Sequence, residues 1–190
     1  MEQHAGDRRR DGRRTDTRAR IHDAALELFV AQGFANTKMQ DVADHLGLTK
    51  SAVYYHHPTK ADLVQSVVQP AIDDVNSFLD EAERAGLGRR EVLERFFDLN
   101  YTHRRVFIAL LQDPSGLSDV QADDWVPHLA KSFQGMLAGP DASAWQRICA
   151  VMAANGLSRC AVMFTDVPYV QLRAMAVEAA LGTLALPEPS

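Results

Sequence analysis

The chain has 190 residues, of which 46% are hydrophobic and 24% are charged, a composition that suits one medium domain or two small domains. Its apolar stretches are far shorter than the roughly 20 residues that cross a bilayer. Its first twenty residues include no apolar run, and its two cysteines are too few for a disulfide framework. We therefore expect a cytoplasmic globular protein with no membrane span and no secretory leader.

Charge is unevenly distributed along the chain, which carries a formal net charge of −5. Residues 1–60 have ten basic and eight acidic side chains, for a net charge of +2, whereas residues 61–190 have a net charge of −7. A basic end on an acidic body is typical of a protein that meets a polyanion through that end. The alternative is an arginine-rich tail that is only solvated.

The chain begins with an arginine-rich segment, residues 1–14. We expect it to be a disordered tail, because it has almost no apolar surface to offset the entropy of ordering. Helical periodicity starts next, with no alternating strand pattern and no internal repeat. A first helix is predicted over residues 16–32, with an apolar stripe between Ile21 and Phe29, and Gly33 is its expected left-handed stop.

Two short helices joined by a tight turn follow. Thr37 and Gln40 predict a capping box at the start of the first helix, and Gly47 is its expected end. Thr49 is a good N-cap for the second helix, which is predicted from Lys50 to about Tyr55. Such a pair is a helix-turn-helix, whose second helix can enter the DNA major groove. The alternative is a purely structural motif, since any three-helix segment with a glycine turn has this pattern.

The rest of the chain predicts further helices, over residues 60–84, 89–101, 103–113, 124–138, 141–165 and 168–184. Thr59 and Asp62 form a second capping pattern, which opens the long helix 60–84. Pro70 inside that helix removes one backbone donor and is expected to bend it. The sequence thus predicts an all-α protein with three parts: the tail 1–14, a three-helix helix-turn-helix domain 15–60 and a helical body 61–190.

The run TKMQDVADHLGLTKSAVYYHHPTKADL at residues 37–63, preceded by AALELFVAQGF at 24–34, closely resembles the signature of the TetR (tetracycline-repressor-like) family of bacterial regulators. The resemblance extends over about residues 17–63. It implies that a helical, ligand-responsive dimerisation domain follows the motif. One departure is His57, where the family usually has a phenylalanine that packs between the recognition helix and the next helix.

The resemblance implies three kinds of contact with a double-stranded DNA operator. Residues of the second short helix and its cap would meet base edges and flanking phosphates; these are Thr49, Lys50, Ser51, Ala52, Tyr54, Tyr55 and His56. Thr37 and Lys60 would hold the phosphate backbone. Arg18 and the tail arginines would reach an adjacent groove.

The last two predicted helices, 141–165 and 168–184, are apolar nearly all round, which indicates burial on more than one side. In a chain this small, the second side predicts contact with another copy of the protein. Two such helices from each copy would form a four-helix interface, giving a homodimer through residues 141–184. The resemblance implies the same arrangement. The alternative is one thick monomeric core.

A small-molecule effector of unknown identity would bind inside the helical body, in a largely apolar cavity. Candidate contacts are aromatic, methionine, histidine and amide side chains: Phe96, Phe97, Asn100, Tyr101, Trp125, His128, Phe133, Met136, Met152 and Asn155. Aromatic and methionine residues at helical spacing also serve as ordinary core. The alternative hypothesis, a regulator that binds no ligand, therefore stays open.

Catalytic chemistry has no support in the sequence, because no metal-ligand spacing, phosphate-binding glycine loop or matched nucleophile and base is present. We predict no enzyme activity, no cofactor and no metal. The favoured function is a sequence-specific DNA-binding transcriptional repressor, released from a pseudo-palindromic operator by a small apolar or amphipathic effector. The alternative is a helical small-molecule-binding or enzymatic protein whose helix-turn-helix is purely structural.

Overall fold

The computed structural model describes residues 3–118 and 125–189, with side chains from residue 16 onward. Over these residues every regular element is a helix: α1 (Gln3–Asn36), α2 (Met39–Leu46), α3 (Lys50–His56), α4 (Lys60–Ala85), α5 (Arg89–Thr102), α6 (Arg104–Gln112), α7 (Ser115–Ser118), α8 (Trp125–Ala138), α9 (Ala144–Met163) and α10 (Tyr169–Leu184). The predicted all-α fold is confirmed for the described chain. None of these helices is both long and apolar enough to cross a membrane.

The chain forms two compact units, whereas the sequence predicted a single cut after residue 60. Among the described residues, the N-terminal unit comprises residues 3–69 and 109–118, and the C-terminal unit comprises residues 70–108 and 125–189. The end of α6 and the short helix α7 join the N-terminal unit because α7 packs against α1. Helical periodicity does not show that the chain returns to the N-terminal unit after α5, and it predicted no helix between residues 113 and 124, where α7 lies.

Helix α1 is longer than predicted at both ends. It begins at Gln3, within the segment predicted as a disordered tail, and arginine can continue a helix because its helix propensity is high. Residues 1–2 and the side chains of residues 3–15 lie outside the described part of the chain. Gly33 has a φ of +83° and a ψ of 164°, so the chain leaves helical geometry there as predicted, but in an extended conformation that is not the expected left-handed helical one, and a short helical stretch follows it to Asn36.

The predicted capping box of Thr37 and Gln40 is wrong. The Thr37 hydroxyl donates to the carbonyl of Gly33 at 2.8 Å, so it is engaged by the preceding turn. Helix α2 begins at Met39 instead, and the Asp41 carboxylate accepts a hydrogen bond from the backbone N–H of Lys38 at 2.8 Å. An acidic side chain in the first turn also suits the positive end of the helix dipole.

The other predicted caps are confirmed. Gly47 ends α2 with a φ of +64°, in the left-handed region. The Thr49 hydroxyl caps α3 by accepting from the backbone N–H of Ala52 at 3.2 Å. At the start of α4, Thr59 and Asp62 exchange backbone-to-side-chain bonds of 2.9 and 3.0 Å. These caps fix the chain direction at both ends of α3.

Each unit has its own apolar core. In the N-terminal unit the fully buried side chains come from α1 to α4 and include Ile21, Phe29, Phe34, Val42, Val53 and Leu63. In the C-terminal unit they come from α4, α5 and α8 to α10 and include Leu79, Leu93, Phe97, Phe133, Leu137 and Leu157. The short helix α3 is thus held in place by one buried residue, Val53, which leaves the rest of its surface outside the core.

Ionic contacts join α10 to α5 in the C-terminal unit. The Arg173 guanidinium donates to both carboxylate oxygens of Asp98, at 2.7 and 3.1 Å, and to Glu94 at 3.3 Å. The Tyr169 hydroxyl also donates to Asp98, at 2.7 Å. The hydrogen bond to the Asp98 carboxylate raises the pKa of Tyr169, and it raises that of Arg173 as well. This half-buried cluster orients α10 on α5.

Candidate nucleic-acid interface and ligand cavity

Helix α3 presents a polar and aromatic surface to solvent. Val53 is fully buried, whereas Tyr55 is 68% exposed. Of the residues predicted to contact DNA here, Thr49, Lys50, Ser51, Tyr54 and Tyr55 are exposed and Ala52 and His56 are half-buried. The structure therefore brings together on one short helix the seven residues that the sequence assigned to it.

The exposed side chains of α3 contact one another. The Lys50 ammonium lies 5.6 Å from the centre of the Tyr54 ring, within the range of a cation–π interaction. The Tyr55 ring meets His56 edge-on, with the ring centres 5.3 Å apart. Together these residues offer a cation, two phenolic hydroxyls and an imidazole, which are suitable donors and acceptors for base edges and phosphates.

Thr37 does not share this surface. Only 2% of the residue is exposed, and its hydroxyl bonds to Gly33 in the turn between α1 and α2. Gln32 also donates to the Thr37 hydroxyl, at 3.3 Å. The predicted contact between Thr37 and the DNA backbone stays a prediction, and its hydroxyl faces the protein interior, where it holds the turn.

Lys60 and Arg18 lie outside the core of the N-terminal unit. Lys60 is the first residue of α4, and its ammonium donates to the carbonyl of Ala35, near the end of α1, at 3.1 Å. An ammonium has three N–H groups, so this bond leaves donors for a phosphate. Arg18 is exposed on α1. The tail arginines at residues 8–14 lie outside the residues whose side chains are described.

His57, the residue that follows α3, forms a pair with the half-buried His22. Only 2% of His57 is exposed, and its ring centre is 5.3 Å from that of His22 on α1. Its Nδ1 is 3.5 Å from the Ser66 hydroxyl of α4, while the buried Nε2 atoms of both histidines have no hydrogen-bond partner within the described structure. Burial lowers the pKa of His57 to about 4, assisted by His22, Arg18 and His56, and burial also lowers the pKa of His22.

Asp113 fastens the end of α6 to the end of α1 within the N-terminal unit. Its carboxylate accepts from the backbone N–H of Ala35 at 2.7 Å and from that of Ser115 at 3.1 Å. The Ala35 N–H bond is the main reason that the pKa of Asp113 is lowered. At Gly33 an added Cβ would come within 2.9 Å of the same carboxylate, so this approach requires a glycine. The sequence analysis missed this contact.

The C-terminal unit contains a small cavity of about 100 Å³. Three of the ten predicted ligand contacts line it: Phe96, Phe133 and Asn155. Six lining residues were missed, namely Val126, Leu129, Ala130, Val151, Ala154 and Ser158. Most are small aliphatic residues that sequence periodicity does not separate from ordinary core.

The other predicted ligand contacts lie elsewhere. Asn100 is buried behind Ser158, and Phe97 is core. The Tyr101 ring packs at a tilt against Tyr169, with ring centres 4.8 Å apart, and the Trp125 indole donates to Asn76 at 3.0 Å. His128 and Met152 are exposed, and Met136 packs against the core. These seven residues therefore do not line the cavity.

The outer sides of α9 and α10 are apolar and exposed. On α9, Ala154 and Leu157 are buried in the unit's own core, as are Leu172 and Val177 on α10. Large apolar side chains remain outside on the same helices or just beyond α9: Ile148, Met152, Met163, Phe164, Val170 and Met175. Val170 is 77% exposed. An apolar surface of this kind is typical of a protein–protein interface.

Residues 21–67 match the family model described as "Bacterial regulatory proteins, tetR family". This segment contains the second half of α1, all of α2 and α3, and the start of α4. Over this segment the chain is therefore similar to the N-terminal helix-turn-helix domain of TetR-family regulators. The match includes the exposed surface of α3 and excludes the cavity and the outer sides of α9 and α10.

Curated relatives that match part of the chain are HTH-type transcriptional regulators. A segment of 53 residues is 45% identical to the HTH-type transcriptional regulator SrpR of Pseudomonas putida, covering 28% of this chain and 25% of that protein. A segment of 100 residues is 34% identical to the HTH-type transcriptional activator FasR of Mycolicibacterium smegmatis, covering 50% of this chain and 46% of that protein. The matches thus span a quarter to just under half of these relatives.

The TetR resemblance in fold extends further along the chain than the resemblance in sequence. A transcriptional regulator from Aquifex aeolicus superposes with a TM-score of 0.67 over 86% of this chain and 96% of its own, at 18% sequence identity. At that identity the likeness shows the fold alone. It agrees with an N-terminal helix-turn-helix domain followed by a helical C-terminal domain.

Proposed function

We propose that the protein is a sequence-specific DNA-binding transcriptional regulator, and that it acts as a repressor. The observation that carries this proposal is the surface of α3. A short helix, capped by Thr49 and held by the buried Val53, leaves Lys50 and two tyrosines exposed. A helix of this kind can enter the major groove and reach base edges.

In the proposed complex, Lys50, Ala52, Tyr54 and His56 meet the groove, and Thr49, Ser51 and Tyr55 meet its flanking phosphates. Lys60 contributes a contact to the phosphate backbone, and Arg18 reaches the adjacent groove. The buried Thr37 hydroxyl holds the turn before α2. This activity uses no catalytic group, cofactor or metal.

The regulator is proposed to act as a homodimer through residues 141–184. The exposed apolar side chains on α9 and α10 support this proposal, because water-exposed apolar patches favour association. Two copies related by a two-fold axis would present two α3 helices to half-sites of a pseudo-palindromic operator. Sedimentation of Val170→Lys should then show a monomer, while Leu111→Lys, an exposed apolar residue on α6, should leave the dimer intact.

Release from the operator is proposed to follow binding of a small apolar or amphipathic effector in the cavity of the C-terminal unit. The apolar lining of that cavity, with Asn155 and Ser158 as polar groups, supports this part of the proposal. A regulator of this class exists in the cytoplasm, where its operator is found.

A gel shift with the DNA that flanks the protein's own gene, at two salt concentrations, tests the proposal. We expect binding that prefers one pseudo-palindromic segment and weakens as salt rises. Tyr54→Ala should reduce that preference, whereas Lys131→Ala, an exposed lysine on α8, should not. Binding without any sequence preference would contradict the proposal and favour a helical protein with a purely structural helix-turn-helix.

A further inference from the structure

A buried hydrogen-bond chain connects the cavity of the C-terminal unit to α5. The Asn100 side chain is 2% exposed, and its Nδ2 donates to the carbonyl of Phe96 at 2.7 Å. The Asn100 Oδ1 accepts from the Ser158 hydroxyl at 2.6 Å. Ser158 lines the cavity, so this chain ends at the cavity wall.

The direction of this chain is fixed by the Phe96 carbonyl. A carbonyl can only accept, so the amide of Asn100 must turn its NH₂ toward Phe96 and its oxygen toward Ser158. The Ser158 hydroxyl must in turn donate its single hydrogen to Asn100. Toward the cavity, the Ser158 oxygen therefore offers only its lone pairs. It can accept a hydrogen bond from an occupant but cannot donate one.

The remaining lining limits the charge and size of an occupant. Among the described lining residues none is charged, so a buried ion would find no partner there. Asn155 is exposed and its amide both donates and accepts, so it does not select one polarity. The cavity volume is about 100 Å³, less than the volume of about 150 Å³ of an engineered protein cavity that encloses benzene, so a single ring would be held only in part, with its remainder beside the exposed Val126 and Asn155 at the edge of the cavity.

We propose that the cavity binds a small neutral molecule, one ring or a short branched chain in size, that donates an O–H or N–H hydrogen bond to Ser158. Phenols, short alcohols and small aromatic amines belong to this class, whereas ethers, ketones and hydrocarbons of the same size cannot donate to Ser158 and are expected to bind more weakly. This inference rests on the effector site of the proposed function, and it adds the chemical class of the effector that the site would select.

Phenol and toluene provide a matched pair of probes, because they differ mainly by a hydroxyl in place of a methyl group. Their affinities are measured by ligand-observed NMR on the full chain without DNA. Three variants are compared with the natural protein. Ser158→Cys keeps the side-chain shape but replaces the oxygen by a weakly accepting sulfur, and Ser158→Ala removes the group. Ser132→Ala removes a buried hydroxyl on α8 that does not line the cavity.

We expect Ser158→Cys to weaken phenol binding about tenfold, since a buried hydroxyl would lose its acceptor, and to change toluene binding less than about twofold. Ser132→Ala should change neither affinity. Ser158→Ala should give the same selective loss of phenol affinity, unless phenol then donates directly to Asn100. The test of the Ser158 acceptor therefore depends on the Ser158→Cys variant. Heat-unfolding curves of each variant establish that it is folded before the titration.

Equal loss of phenol and toluene in Ser158→Cys, no loss of phenol, or no binding of phenol to the natural protein would each overturn the inference. These outcomes are separate from failure of the proposed function, because the titration contains no DNA. A protein that discriminates phenol through Ser158 but lacks DNA binding would instead overturn the proposed function alone.

Discussion

The two units use helices of similar kind but leave opposite surfaces outside. In the N-terminal unit, α3 buries Val53 and exposes polar and aromatic side chains such as Lys50. In the C-terminal unit, α9 buries Leu157 while its other side leaves Ile148 and Met152 exposed. A polar outer surface is solvated by water without a partner, whereas an exposed apolar surface is stabilised when it packs against a second protein surface. The outer residues therefore distinguish the surface proposed to bind DNA from the surface proposed to bind a second copy of the chain.

The largest predicted effect tests whether the two units are independent. Phe29 in the N-terminal unit and Phe97 in the C-terminal unit are both fully buried. Phe29→Ala and Phe97→Ala should each cost about 3–5 kcal/mol of unfolding free energy, through lost burial and the cavity left behind. Calorimetry of the two variants measures the loss.

We expect Phe29→Ala to abolish DNA binding and to leave the oligomeric state unchanged. Phe97→Ala should disturb both DNA binding and the oligomeric state. The exposed Tyr55 provides a matched control, since Tyr55→Ala should leave the calorimetric transition nearly unchanged. If Phe29→Ala disrupted the dimer as completely as Phe97→Ala, the two units would unfold together and the contrast between them would disappear.

The next effect concerns pH and is confined to the N-terminal unit. Because His57 has a pKa of about 4 in the folded chain against 6.5 when unfolded, the folded state prefers the neutral ring. The folding free energy that depends on the neutral His57 ring is therefore fully present above pH 6.5, and it is lost as the pH falls toward 4. The loss is on the order of 3 kcal/mol for this group, and the lowered pKa of His22 acts in the same direction.

His57→Phe should remove much of this acid sensitivity, because a phenylalanine ring does not take up a proton. Urea midpoints measured from pH 7 to pH 4 provide the check. His128→Gln, a change at an exposed histidine of the C-terminal unit, should keep the natural profile. An unchanged acid profile in His57→Phe would assign the sensitivity to other groups.

A smaller effect is expected at Lys60. Lys60→Ala should weaken binding to all DNA sequences about equally and reduce the slope of binding against log salt by about 1, as removal of one phosphate contact does. Gel shifts over a series of salt concentrations give this slope. A loss confined to the operator would contradict the proposed phosphate contact, and Lys131→Ala should leave the slope unchanged.

The smallest effect is expected at the ionic cluster between α5 and α10. Asp98→Asn should cost about 1 kcal/mol, because the bidentate bond to Arg173 is lost at a site that is partly open to solvent. The urea midpoint measures the change. Arg90→Gln, which removes the fully exposed contact to Glu178, should change it less. A larger cost for Arg90→Gln would reverse this ranking.

Local interactions account for most of what the sequence predicted correctly. Thr49, Gly47 and the Thr59–Asp62 pair act within three or four residues of their partners, so their pattern predicts the ends of α2, α3 and α4. Thr37 was assigned wrongly because α2 begins one residue later than the Thr37–Gln40 spacing predicts, so Lys38 is the N-cap and the Thr37 hydroxyl bonds to the carbonyl of Gly33. The exact start of α2 depends on the path of the α1–α2 turn, which the spacing of two residues does not determine.

Long-range features were not predictable in the same way. Asp113 and Ala35 are 78 residues apart, and no periodicity links them. The cavity depends on space that the small side chains of Ala130 and Ala154 leave unfilled, and in a sequence these alanines resemble any core alanine. The predicted aromatic contacts mostly fill the core, because large side chains close space rather than leave it open.

The return of residues 109–118 to the N-terminal unit affects how the protein folds as it is synthesised. A nascent chain that has reached residue 69 has all of α1, α2 and α3, but it lacks the Asp113 carboxylate that binds the Ala35 N–H and Gly116, which lies against the Phe34 ring. These partners arrive only after about forty further residues have been translated. The first helices to leave the ribosome therefore cannot complete their own unit until part of the second one has emerged.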